Sequence, residues 1–211
     1  MRPSRLLDVS ARERLAAAVR DAERRTRGEI VLVVVRACDE YGAAPWRLGV
    51  LLAALVYCGL QAFAAPLPWW WYLGAQALTL LAGHALMRID ALRRLLLGPH
   101  LARERVHERA ERAFFENGLT RTHGRTGILI FVAWLERRVV VLGDEGIHGA
   151  LDPGESWEEV VDLAVAGLRE GRALDGLEAA VRRCGEILAR HFPVSPERNV
   201  DELPNAVVIE D

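Results

Sequence analysis

Several side chains have the types and spacing that chemistry needs. Asp144, Glu145, Asp152 and Glu155 follow one apolar run, and Glu29 opens another. An oxygen-rich group of this kind suits Ca2+ or Mg2+. The other reading is ordinary turn and cap chemistry, with Asp144 and Gly146 making a turn. The stretch Thr120-Arg-Thr-His-Gly-Arg125-Thr126 is an arginine–hydroxyl loop. Its guanidinium groups suit an anion, or it is a polar lead-in to a strand. Cys184 and Arg190 have the Cys-x5-Arg spacing of thiol phosphatases. That chemistry needs a phosphate-cradling loop with a thiolate at a helix start, whereas Cys184 falls mid-helix between Val181 and Leu188. His107 and Glu111 lie one helical turn apart, as a metal-ligand pair or as part of a solvated face. There is no Asp-x-Asp pair, HExxH or Gly-x-Gly-x-x-Gly. The three cysteines, Cys38, Cys58 and Cys184, have no CxxC spacing. They give neither a disulfide framework nor a zinc site, which suits a reducing cytoplasm.

The elements that would position these residues fall in two populations. The chain has 211 residues, 27 basic and all arginine, 29 acidic, with a formal charge of -2. That balance excludes a strongly basic nucleic-acid binder and an acidic disordered tail. From Leu48 to Met87, 40 residues contain no Asp, Glu or Arg. Within this block Leu48–Ala65 and Trp69–Met87 each reach roughly 27–29 Å as helices, close to the ~30 Å of bilayer hydrocarbon. Pro66-Leu67-Pro68 separates them, so the pair reads as a tight transmembrane hairpin, with Trp69, Trp70, Trp71 and Tyr72 as an interfacial belt. Arg36 and Arg47 precede the hairpin, Arg88, Arg93 and Arg94 follow it, and the turn carries no charge. The positive-inside rule then places both termini in the cytoplasm, and nothing after Met1–Arg5 resembles a signal peptide. His84 inside the second span is expected to be neutral and bonded across the hairpin. Ile89–Leu97 reads as a short interfacial helix.

The polar remainder reads as one domain split by the hairpin. Ser10–Glu13 is a capping-box pattern opening a helix to about Arg25, with Leu15, Ala18, Val19 and Ala22 inward. Ile30–Val35 is a run of apolar, mostly β-branched residues without alternation, the pattern of a strand covered on both faces. Leu101–Asn117 reads as a helix with Val106, Ala110, Ala113 and Phe114 inward, Gly127–Trp134 as a second strand, and Val139–Leu142 as a third. Helices capped at Ser156–Glu159 and Asp175–Glu178 follow, the last with Leu177, Val181, Cys184 and Leu188 inward. Ala206–Ile209 fits a short edge strand. The first two strands form a βαβ unit and are expected to be parallel with a right-handed crossover. The third runs antiparallel to the second, so its end, the start of the first and the arginine–hydroxyl loop share one sheet edge. The expected fold class is α/β, a three-layer αβα sandwich with the two-helix transmembrane hairpin inserted. Boundaries are expected at 1–45 (first part of the domain), 46–97 (hairpin and interfacial helix), 98–193 (remainder) and 194–211 (tail).

These residues resemble a known family. Thr26-Arg-Gly-Glu29-Ile, Phe114 to Gly118, Gly127-Ile-Leu-Ile-Phe-Val, Glu136-Arg137-Arg138-Val-Val-Val, Asp144-Glu-Gly-Ile147, Trp157, and the helix end from Cys184 to Pro193 are similar to the TPM domain. The inserted hairpin and Asp201-Glu-Leu-Pro204 resemble the bacterial membrane branch of that family. The resemblance implies a Rossmann-like αβα sandwich. It also implies three kinds of role found among members: binding of calcium or similar ions, a proposed phosphatase activity, and assistance to membrane complexes. Where many members carry an Asn-Asp-Tyr-type loop, this chain has Leu6-Leu7-Asp8-Val9-Ser10.

The functional expectation is a bacterial inner-membrane protein whose cytoplasmic TPM-like domain is a binding or assembly module for a membrane complex. A metal-dependent phosphatase is the alternative. Glu29, Asp144, Glu145 and Asp152 are the expected metal ligands, for Ca2+ or Mg2+. Trp134, Arg137 and Arg138 are the expected membrane-proximal residues, since the chain enters the bilayer soon after the first strand ends. The expected partners are membrane lipid and a membrane-protein complex, with no nucleic acid.

Overall fold

Seven consecutive apolar or acidic residues, Glu29–Val35, form strand β1, and every one of them is buried. A strand of this kind needs neighbours on both edges and helices on both faces. In the computed structural model, which describes residues 7–39, 41, 43–63, 68–96, 98–148, 150, 156–194, 203–204 and 207–210, both needs are met. Strands β2 (Gly127–Ala133), β3 (Arg138–Gly143) and β4 (Val208–Glu210) complete a four-stranded sheet in the order β3-β2-β1-β4. β1 and β2 are parallel over the whole of β1, from Glu29 beside Gly127 to Val35 beside Ala133. β3 is antiparallel to β2, and β4 is parallel to β1. The parallel βαβ pair, the antiparallel third strand and a short tail strand match the expectations from sequence.

Alternate side chains of β1 and β2 face opposite layers. Ile30, Leu32, Val34, Ile128, Ile130 and Val132 pack with helix α1 (Val9–Glu23) and with two helices near the end of the chain. Val31, Val33, Val35, Leu129 and Phe131 pack with Val106, Ala110, Ala113 and Phe114 of a helix over Pro99–Glu116. Helices therefore cover both faces.

The chain divides into two compact units. One is Met1–Cys38 with Arg103–Asp211, which holds the sheet; the other is Asp39–Ala102. In the second unit helices α2 (Ala43–Phe63) and α3 (Trp69–Leu86) are followed by α4 (Asp90–Leu96). Gly49 packs against Leu80, the Gln76 side-chain amide donates to the Ala53 carbonyl at 3.2 Å, and the Tyr57 and Tyr72 rings lie 6.0 Å apart. These contacts step along both helices four residues at a time in opposite directions, so α2 and α3 form an antiparallel hairpin. Arg93 of α4 stacks on the Tyr41 ring, a cation–π contact. Among the described residues, no helix is long and apolar enough to cross a membrane. α3 has 18 residues, and Gln76, Thr79 and His84 dilute its apolar character. His84 is exposed; the expected bond across the hairpin is not made among the described residues.

The helix over Pro99–Glu116 is α5, which belongs to the first unit from Arg103 onward; α6 (Glu145–His148), α7 (Glu158–Arg169) and α8 (Ala173–His191) follow in that unit. Helix starts differ from the capping patterns. α1 is capped by Asp8, whose Oδ1 accepts the Ala11 N–H at 2.8 Å, while Ser10 donates its hydroxyl to the same oxygen at 2.8 Å. α7 begins after Trp157, and the Ser156 hydroxyl accepts the Glu158 N–H at 3.3 Å. α8 begins two residues before Asp175.

Candidate functional site

The starts of β1 and β2 and the end of β3 make one sheet edge, as chain direction requires. Glu29 pairs with Gly127, and the Asp144 N–H donates to the Gly127 carbonyl at 3.0 Å. Glu29 and Asp144 are both buried, two strand positions apart, about 10 Å between backbones. Gly127 stands between them because Leu119 fills the space above it. A Cβ at Gly127 would lie 2.8 Å from both the Leu119 Cδ2 and its carbonyl oxygen. Leu119, in a short 3-10 turn over Leu119–Arg121, is itself fully buried.

The arginine–hydroxyl loop and the acidic group, read from sequence as separate anion and cation sites, meet each other here. Arg125 stands 3.7 Å from Asp144 Oδ1 and 3.3 Å from Glu145 Oε2. Asp144 Oδ1 also accepts the Glu145 N–H at 2.8 Å at the start of α6. Arg125 has φ 57°, and its carbonyl accepts the Gly146 N–H at 3.1 Å. Gly146 cannot be replaced without displacement, since a Cβ there would lie 2.4 Å from the Gly124 carbonyl oxygen. This is turn and cap chemistry with a neutralising arginine. Of the expected metal ligands, Glu29 and Asp144 share the edge, Glu145 lies beside Arg125, and Asp152, like Glu155, lies outside the described residues. Among the described residues, no three His, Cys, Asp or Glu side chains come together as metal ligands.

Other candidates have structural partners. Cys184 is fully buried in α8. Burial, with the nearby Glu23 carboxylate, pushes its thiol far above the usual range, so it holds its proton and is no nucleophile. His107 Nε2 lies 3.3 Å from Glu111 Oε1 on the exposed side of α5. Thr26, first residue of the Thr-Arg-Gly-Glu motif, donates its hydroxyl to the Phe192 carbonyl at 2.7 Å and accepts the Gly28 N–H at 3.1 Å. That motif ties the end of α8 to the start of β1.

At the opposite edge, the turn from β2 to β3 contains Trp134, Arg137 and Arg138. Arg137 is exposed, and Trp134 and Arg138 are half-buried. The turn is bonded to the chain leaving β1: the Trp134 N–H donates to the Val35 carbonyl at 2.9 Å, the Leu135 N–H to the Arg36 carbonyl at 2.8 Å, and the Cys38 N–H to Glu136 Oε1 at 2.9 Å. Glu136 is buried. Sequence reading names this carboxylate only within the family motif and gives it no role, and it misses Arg109 of α5, which places one guanidinium nitrogen 2.8 and 2.6 Å from the two carboxylate oxygens of Glu210 in β4. The only available signal for Arg109 was its place on α5 beside inward Val106 and Ala110. An open cavity of about 300 Å3 is lined by Val31, Glu116, Asn117, Gly118, Pro204 and Val208. It has an apolar floor and one carboxylate, with no nucleophile or base pair.

A mixed four-stranded sheet layered between helices, with an inserted helical unit after its first strand, defines an α/β protein of the kind the sequence suggested. A TPM domain family model matches residues 94–187, from α4 into α8. The chain is also similar to the BA42 protein from the psychrophilic bacterium Bizionia argentinensis, solved by NMR. That similarity is 19% in sequence, over 96% of this chain and 94% of that one, with a TM-score of 0.58, and it shows the fold alone. No curated protein matches the chain.

Proposed function

We propose that the protein is an integral protein of the bacterial inner membrane, of the hairpin-bearing TPM branch. Its sheet-bearing unit lies in the cytoplasm with both termini and acts as a binding or assembly module for a membrane complex. One observation carries this reading: the hairpin turns large apolar side chains outward. Leu51, Leu55, Leu78 and Leu81 are between 66% and 72% exposed, and Val50, Leu73 and Trp69–Trp71 are exposed as well. A surface of that extent on a soluble monomer marks an interaction site, and the absence of any Asp, Glu or Arg from Leu48 to Met87 suits lipid. Arginines on both flanks and none in the turn support the orientation. Trp134, Arg137 and Arg138 lie at the edge where the chain leaves β1, which suits an anionic headgroup layer.

The binding reading is supported by the burial of Cys184 and by the engagement of Asp144 with Arg125 and the start of α6. It is tested by assaying the purified full chain on a generic phosphomonoester with and without Ca2+ or Mg2+, and by native electrophoresis of membranes in mild detergent. The expected results are no turnover and migration in an assembly larger than the chain. Ion-dependent turnover abolished by Asp144→Ala would replace this reading with a metal-dependent phosphatase.

A further inference from the structure

We infer that the outer edge of β3 is a strand-addition site. Its occupant is an extended apolar segment of another protein, seated antiparallel, with acidic residues beside Arg137 and Arg138 and basic residues beside Glu145. This deepens the binding-module reading above, on which it rests.

β3 ends the sheet, beyond β2. The Asp144 N–H donates to the Gly127 carbonyl, and positions along an antiparallel pair alternate between bonded and non-bonded. Leu142, Val140 and Arg138 therefore bond to β2, while Val139, Val141 and Gly143 turn their N–H and C=O groups outward. Among the described residues, nothing beyond the sheet bonds to these three positions. The two sheet edges differ. β4, at the other end, has three residues and closes on Glu210; it is short and charged, as protected edges are. β3 has six residues and pairs one-for-one with β2, so it has no bulge. Between Arg138 and Gly143 it holds neither proline nor charge, and Val140, Val141 and Leu142 are only half-buried. An edge so long, even and apolar is a template for another strand. Strand addition uses what it offers, main-chain bonds for affinity and alternate side chains for specificity.

Charge selects the occupant. Arg137 and Arg138 stand at the start of the edge, and Glu145, its side chain 83% exposed, stands just past the end. Complementary charges at the two ends fix register and direction, and antiparallel pairing is the more stable per residue. β3 has the required charge order itself: laid antiparallel on a second copy about Val141, it sets Arg137 against Glu145. In the proposed orientation, however, two copies in one bilayer run β3 in the same direction and cannot pair in this way. The segment therefore belongs to a different protein.

The full chain, one copy per zwitterionic nanodisc, is tested with the peptide Arg-Arg-Val-Thr-Val-Thr-Val-Glu-Glu. Saturating peptide is expected to slow amide exchange at Val139, Val141 and Gly143 about tenfold or more and to leave Val140 and Leu142 unchanged. Val141→Pro removes the central outward N–H and no bond to β2. It is expected to bind about tenfold more weakly, the contribution of one hydrogen bond. Arg137→Asp tolerates the φ of 52° at that position and keeps the whole edge; it is expected to bind about fivefold more weakly. Binding that leaves exchange at Val139, Val141 and Gly143 unchanged, or that neither substitution weakens, overturns the proposal. A chain that enters the discs and binds no peptide overturns it too, and leaves the membrane reading standing. A disulfide between two Val141→Cys chains in one vesicle, with Cys38 and Cys58 replaced, would assign the edge to a second copy and overturn both the partner and the orientation.

Discussion

Arg125 and Asp144 close on each other across the turn that follows β3, 3.7 Å from guanidinium to carboxylate, with the arginine half-exposed and the aspartate buried. The aspartate carries more of the structure, because the same oxygen caps the first N–H of α6. Asp144→Ala is expected to cost about 1–2 kcal/mol, as for loss of a helix cap. Arg125→Gly keeps a residue that tolerates φ 57° and removes only a partly screened charge, so its cost is expected to stay below about 1 kcal/mol. Chemical denaturation of the two variants checks the order.

The same pairing predicts a weak response to divalent ions. A ligand bound only by the native state raises the melting temperature. With Leu119 between Glu29 and Asp144 and with Arg125 on the carboxylates, the shift in 10 mM Ca2+ is expected to be under about 1 °C. A rise of several degrees that Asp144→Ala removes would restore an ion site at this edge.

Asp8 supplies a pH signature. The Ala11 N–H and the Ser10 hydroxyl hold its carboxyl below its ordinary value of 3.8. A carboxyl depressed by folding adds stability that is fully present above its unfolded pKa and is lost as the pH falls through the folded value. The gap in denaturation midpoint between wild type and Asp8→Ala is therefore expected to be constant from pH 7 to about 5 and to narrow below pH 3.8. A gap that is unchanged at pH 3 would assign the cap to another group.

Much of this was legible in the sequence because burial leaves a strong pattern. Ile30–Val35 without alternation implies two covered faces, and the inward residues of α1, α5 and α8 follow from their spacing. What was not legible depends on hydrogen bonds between segments far apart. Three capping patterns were read, but Asp8 displaces Ser10 because its carboxylate reaches the Ala11 N–H. α8 starts at Ala173, before Asp175, and its N-cap Arg172 makes no side-chain cap bond. Chain direction places the acidic cluster and the arginine loop at one sheet edge, but spacing alone does not show that Arg125 turns onto Asp144 and Glu145, so the two read as a cation site and an anion site. Glu210 lies 101 positions from Arg109, beyond any local pattern.

The orientation proposed for the domain has its own test. Arg137 and Glu145 lie at opposite edges of the sheet, about 20 Å apart for strands of this length. With Cys38 and Cys58 replaced, spin labels at these two positions in anionic liposomes are expected to differ, Arg137 colliding with lipid-phase relaxants and Glu145 with aqueous ones. Equal accessibility would mean that no fixed edge faces the lipid.

Flotation decides whether the apolar hairpin holds the protein in a bilayer. Membranes from expressing cells, washed with alkaline carbonate and floated on a sucrose gradient, should carry the full chain upward with the lipid, because the outward-facing leucines of α2 and α3 would stay in hydrocarbon when peripheral contacts are stripped. A chain found in the carbonate supernatant, folded and free of lipid, would rule out membrane insertion and make the exposed face of the hairpin a protein-binding surface instead.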